Sequence, residues 1–230
     1  MIIWMLSLVE YFLLQKKTQR DEINSKELTK LTSELRSSEI IWGKKPNYGE
    51  TTPNEIPRLL EFKLGARVVM TLNKYNESGW TLWVNGSQGN IVGINPKSGS
   101  HVNYVVVQFD NGSKLRVERE IFEEFKPLLV ENSEKPGKKK IVHEIYSSAM
   151  QFPFTLGWAM TIHKSQGTTL GKVTADLSGV WQQGMSYVAL SRTRSAGDLT
   201  IAGEELSAKH VYEIDELLVN YYVQNFKNNH

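Results

Sequence analysis

Two short strings gather side chains able to handle phosphate oxygens. Thr161-Ile162-His163-Lys164-Ser165-Gln166-Gly167 sets hydroxyls, an imidazole, an ammonium and a carboxamide in one run, followed by Thr168 and Thr169, with no carboxylate among them. Many donors without carboxylates suit hydrogen bonds to phosphate or sugar oxygens. A single His or Lys here would mean little; the specificity lies in the whole run. The second string, Tyr187-Val188-Ala189-Leu190-Ser191-Arg192-Thr193-Arg194, carries two guanidinium groups, whose planar fork matches phosphate oxygens. On a helix, residues two apart point about 200° away from each other. Arg192 and Arg194 then cannot both aim at one ligand, so one should serve the site and the other be a surface or DNA-facing charge.

The elements that must position these strings are read from periodicity. Met1 to Leu14 is apolar except for Ser7 and Glu10. It is shorter than the roughly 20 residues a membrane span needs, so it reads as a buried strand or helix. No membrane partner is expected. Ile23, Leu28, Leu31 and Leu35 mark an amphipathic helix over Asp21–Leu35. Pro46, Gly49, Pro53 and Pro57 then punctuate a connector. After Gly65 the period changes to two, giving strands at Ala66–Leu72, Gly89–Ile94, Val102–Phe109 and Lys114–Val117, which suggest a small barrel. Asp110-Asn111-Gly112 is a hairpin turn. Trp80 and Trp83 fit the barrel core better than a stacking role, and the basic run Lys135–Lys140 reads as a solvated loop or a contributor to a positive track.

From Phe154 the spacing of Leu156, Ala159, Met160, Ile162 and His163 predicts a helix that Gly167 would cap. A strand at Val173–Leu177, a helix over Gly184–Arg194, a strand at Leu199–Ala202 and a last helix over Ser207–Phe226 follow. Strand and helix alternate there, so this part is α/β, with a β module lying between two pieces of it.

The 230 residues are 40% hydrophobic and 23% charged, the composition of an ordinary globular chain and not of a disordered or fibrous one. With 27 Lys and Arg against 25 Asp and Glu, the net charge is +2, so any basic groove must be local. The absence of cysteine excludes disulfide frameworks, Cys-based zinc sites and Cys nucleophiles. His101, His143, His163, His210 and His230 form no helical pair at ligand spacing, and no metal site is expected in this chain.

Phe152–Leu170 (FPFTLGWAMTIHKSQGTTL) and Ser186–Ser195 (SYVALSRTRS) resemble the fifth and sixth motifs of superfamily-one DNA helicases of the petite-integration-frequency (PIF) type, related to the RecD group. Leu64–Met70 followed by Val84–Gly89 is similar to the family's stretch leading into a small Src-homology-three-like barrel, and Asp21–Leu28 to its segment after the fourth motif. The likeness runs over roughly residues 13–203. It implies an intracellular, ATP- and Mg²⁺-dependent helicase with two RecA-like domains, moving 5′ to 3′ on single-stranded DNA. The fold class implied is α/β: a second RecA-like (P-loop NTPase-type) domain with an inserted barrel. By this likeness residues 1–61 are its leading segment and connector, 62–130 the barrel, 131–206 the returning part with motifs five and six, and 207–230 a C-terminal helix. Arg192 matches the arginine that reaches the γ-phosphate. Gly167, Tyr187 and Ser191 match positions at the nucleotide, and Thr161, His163, Lys164, Ser165, Gln166, Asn85 and Arg194 are implied at the DNA.

The departures are as informative. No G-x-x-x-x-G-K-[ST] occurs: Gly43-Lys44-Lys45, Gly137-Lys138-Lys139 and Gly171-Lys172-Val173 all lack the hydroxyl residue that would hold Mg²⁺. Asp215-Glu216 reads as a surface helix, and Lys16 and Lys17 stand about where the family has a Thr-Asn pair. The expected role is therefore the C-terminal portion of a helicase, whose partner is a first RecA-like domain in cis or trans that binds most of the ATP and Mg²⁺. The alternatives are a non-catalytic single-stranded DNA-binding module and an inactive truncated remnant.

Overall fold

The computed structural model describes residues 10–46, 52–53, 56–96, 101–131, 139–178 and 184–203. Residues 1–9, 132–138 and 204–230 lie outside that set, and with them most of the apolar start, Lys135–Lys138, Asp215-Glu216 and the expected final helix. The chain divides into two compact units, Met1–Lys30 with Leu156–His230, and Leu31–Thr155.

The first unit begins with β1 (Glu10–Leu14) and α1 (Lys17–Lys30). Tyr11, Leu13 and Leu14 are buried, which makes the end of the apolar start a core strand. The helix lies earlier than its expected span of Asp21–Leu35, and it buries Asn24 and Leu28, one turn apart, while Leu35 is exposed.

Twelve strands are found among the described residues of the second unit. They are β2 (Arg36–Glu39), β3 (Ile41–Lys44), β4 (Leu59–Phe62), β5 (Arg67–Met70), β6 (Lys74–Tyr75), β7 (Thr81–Trp83), β8 (Gln88–Asn95), β9 (Tyr104–Phe109), β10 (Lys114–Val117), β11 (Glu120–Glu131), β12 (Lys139–Gln151) and β13 (Phe154–Leu156). The four strands foreseen from period two become neighbours in a five-stranded sheet ordered β10-β9-β8-β5-β13. The turn at 110–112 joins β9 to β10, with Gly112 at φ +88°. Beyond the expected limits of 62 and 130, β2 pairs with β4 and the long β11–β12 hairpin pairs with β3. Pairing across the proline-rich connector draws its flanks into this unit.

Its core holds Phe62, Phe152 and Phe154, with ring centroids 5.5–5.8 Å apart. Beside them Gln151, fully buried, accepts from Ser38 Oγ at 2.6 Å and donates to the Ser38 carbonyl at 2.9 Å. Arg119 donates to Ser38 Oγ at 3.0 Å, and burial pushes its guanidinium below the usual range. Trp83 stacks on Phe109 in the core, whereas Trp80 is 75% exposed. Trp80 is therefore not a core residue. Asn76 Oδ1 accepts from the Ser78 and Trp80 backbone N–H groups and tightens the turn that carries it.

The chain then returns to the first unit with β14 (Ala159–Thr161), β15 (Lys172–Asp176), α2 (Met185–Leu190) and β16 (Leu199–Ala202). The sheet order is β14-β1-β15-β16 and every pair is parallel. The helix expected from Phe154 is instead two strands. Ala159, Met160 and Thr161 are all buried, and a continuous buried run looks alike in helix and strand. The connection from β1 to β14 contains α1 and the whole second unit.

Candidate functional site

In a parallel sheet the strand carboxyl ends are where loops present ligand groups. At the end of β14, Thr161 is buried and Ile162 donates its backbone N–H to the Leu14 carbonyl at 3.0 Å. A 3-10 turn over His163–Ser165 follows. It exposes His163 and Lys164 and buries Ser165, whose Oγ donates to the Ile162 carbonyl at 2.7 Å. Gln166 is exposed, and Gly167 takes φ +77° with nothing within 4 Å of where a Cβ would stand. Thr168 Oγ1 closes the loop by donating to the Ser165 carbonyl.

The Tyr187–Arg194 string meets this loop. Its helix α2 is only six residues long and ends at Leu190, with Ser191 as the cap. Arg192 and Arg194 are therefore not on a helix and are not held about 200° apart by helical geometry. Another contact separates them. The Arg192 Nη1 donates to the carbonyls of Ser165 at 3.2 Å and Thr168 at 3.3 Å, Nη2 to Ser191 Oγ at 2.7 Å, and Nε to the Val188 carbonyl at 2.6 Å. The Leu170 N–H donates to the Arg192 carbonyl at 2.9 Å, and Leu170 forms a parallel bridge with Thr193. Arg192 is half-buried; Arg194 is exposed. Tyr187 points to solvent, 71% exposed.

The structure thus brings Thr161, His163, Lys164, Ser165, Gln166, Gly167, Tyr187, Ser191, Arg192 and Arg194 into one unit. Asn85 belongs to the other unit, exposed in the turn Val84–Ser87, with its N–H donating to Asn73 Oδ1 at 2.7 Å. Among the described residues no group of three or more His, Asp and Glu could hold a metal ion, and no helix is long and apolar enough to cross a membrane.

One residue of consequence escapes sequence reasoning. Asn24 on α1 is buried, accepts from the Ala159 N–H at 2.9 Å and donates to the Ala159 carbonyl at 2.9 Å. Its signals in the sequence are its place in the Asp21–Leu28 stretch and a carboxamide one turn from Leu28 on the apolar face, and neither points to a strand partner.

No protein-family model matches the chain. It is 31% identical over 193 residues to the ATP-dependent DNA helicase Pif1 of Bdellovibrio bacteriovorus, covering 83% of this chain and 38% of that protein. It is 33% identical over 189 residues to PIF1 of Danio rerio, covering 80% and 26%. The crystal structure of a Bacteroides Pif1 bound to single-stranded DNA superposes with a TM-score of 0.68 at 27% identity, over 96% of this chain and 46% of that one. Sheet and neighbours together define a helicase domain. The chain belongs to the PIF-type helicase family, and it spans less than half the length of each of these relatives.

Proposed function

We propose that this chain is the C-terminal portion of an ATP-dependent 5′-to-3′ DNA helicase. In this reading the unit holding the parallel sheet is the second RecA-like domain, and the β unit, centred on 62–130, is an inserted Src-homology-three-like barrel. Arg192 is the arginine finger, and His163, Lys164 and Gln166 form part of the single-stranded DNA track, with Asn85 and Arg194 as further DNA contacts. The observation that carries the reading is the donation from the Arg192 guanidinium to the Ser165 and Thr168 carbonyls, in and just after the Thr161–Gly167 string.

A neutral carbonyl is a weaker acceptor for guanidinium than an anionic phosphate oxygen. A γ-phosphate presented across a cleft draws Arg192 from the two carbonyls, and the loop bearing Lys164 is then free to change its hold on the DNA backbone. Arg192 brings positive charge to the phosphoryl group in flight, beside Gly167, Tyr187 and Ser191. Mg²⁺ supplies charge neutralisation when bound. The carboxylate and P-loop hydroxyl that would hold it, and the P-loop lysine that would contact the phosphates, belong, in this reading, to a first RecA-like domain in cis or trans, and the described residues hold no group of three or more His, Asp and Glu that could replace them.

Purified chain is expected to bind labelled oligo-dT weakly, with affinity falling as salt rises because backbone contacts release counterions. It is expected to release no phosphate from ATP above background. DNA-stimulated turnover by the pure chain, or no binding even at low salt, contradicts the reading.

A further inference from the structure

We propose that Asn24 is a positioning residue for the Thr161–Gly167 string: its buried carboxamide completes the open edge of β14 and so fixes where the string is presented to DNA. The inference rests on the reading that this string contacts single-stranded DNA.

The inner side of β14 is held by β1, in register from Phe12 with Ala159 to Leu14 with Thr161. Among the described residues no strand lies on its outer side, where β14 ends the sheet. An edge strand leaves alternate N–H and C=O groups unpaired. At Ala159 both are taken by one side chain, since Asn24 accepts the N–H and donates to the carbonyl, each at 2.9 Å. A carboxamide carries the donor and acceptor of a peptide group, so Asn24 pairs with Ala159 as one residue of an adjoining strand would. Its Nδ2 also lies 3.5 Å from the Leu156 carbonyl.

Asn is a poor residue for the interior of a helix, and Asn24 sits in the middle of α1 at 5% exposure. What offsets that cost is the pairing with Ala159. The two residues are 135 apart in sequence, one before and one after the inserted β unit, so the carboxamide ties the chain together across the insertion. Thr161, where the string starts, lies two residues beyond Ala159, about 7 Å along a strand. A shift of β14 moves the string with it.

The test compares the full chain with Asn24→Ala, Asn24→Asp and Leu28→Ala. Leu28 is buried on the same helix and makes no polar tie. Anisotropy with labelled oligo-dT over a salt series, and hydrogen exchange at Thr161–Thr168, are read for each. Asn24→Ala is expected to weaken binding by about tenfold, the equivalent of one lost buried hydrogen bond. It should also flatten the log–log salt dependence by about 0.7, one phosphate contact. Amide exchange at Thr161–Thr168 should accelerate. Leu28→Ala should lower the melting temperature and leave affinity, salt slope and loop exchange as they were. Asn24→Asp keeps an acceptor for the Ala159 N–H but cannot donate to its carbonyl; it should share the loss, and it is the variant to read if Asn24→Ala does not fold. Unchanged salt slope and loop exchange in the Asn24 variants overturn the proposal, as does an equal effect in Leu28→Ala. A wild-type chain that binds no DNA sinks the DNA reading, and the exchange data then still decide whether Asn24 positions the loop.

Discussion

Replacing Arg192 with alanine removes four donations at once, two of which hold the loop between Ser165 and Thr168. A hydrogen bond from a charged donor contributes roughly 1.5–3 kcal/mol when sheltered. Arg192 is half-buried, so water replaces much of what is lost, and the Val188 carbonyl keeps a donor in Ser191 Oγ at 3.3 Å. The net cost is then about 2 kcal/mol, which for a chain of this length lowers the melting temperature by about 4–8 °C. Arg192→Lys keeps the charge but not the fork, so it should recover about half of that. Thermal melting of the isolated chain, with hydrogen exchange at the Thr168 and Leu170 amides, measures both. A melting temperature within about 1 °C of wild type, with unchanged exchange at those amides, would refute the contact, since even one such bond lost corresponds to a larger shift.

Arg67 is buried, and Asp110 pairs with it through both carboxylate oxygens, with Asn90 and Gln88 also accepting, at 2.8 and 3.0 Å. Asp110→Ala should cost about 2–4 kcal/mol in urea unfolding, below the full cost for a buried pair because Asp110 is half exposed, and adding Arg67→Met should recover part of it. Trp83→Ala should cost about 3–5 kcal/mol as a core truncation. Trp80→Ala should cost under about 0.5 kcal/mol, as an exposed substitution does. The two tryptophans would exchange these outcomes if the packing on Phe109 were misassigned.

Period two and turn chemistry make β5, β9, β10, β15 and β16 legible in the sequence, because each pairs side chains to one face or runs apolar between clear breaks. The stretch from Phe154 to Thr161 is not legible. Phe154, Gly157 and Ala159–Thr161 are buried and Thr155, Leu156 and Trp158 half-buried, so the run has no exposed face to betray its period. The strings at 161–167 and 187–194 stand out by residue types alone, as donor-rich runs without carboxylates. How they meet is not: the end of α2 at Leu190 depends on tertiary contacts of Arg192 and Leu170 that no local pattern encodes. Asn24 hides for the opposite reason, since a polar residue in an apolar stripe looks like an interruption until its strand partner is seen.

Arginine fingers supply on the order of 10³–10⁵ in rate, so DNA-stimulated ATP hydrolysis in a reconstituted pair tests the proposed role of Arg192 most directly. A first RecA-like domain of a PIF-type helicase, fused ahead of the full chain or added in trans, should give turnover with the wild-type chain at saturating DNA. Arg192→Ala should abolish that turnover, and Arg194→Ala should reduce it far less. Near-normal hydrolysis in Arg192→Ala with loss in Arg194→Ala would show that the finger is the other arginine; full activity in both would contradict the assignment of this string to phosphate chemistry.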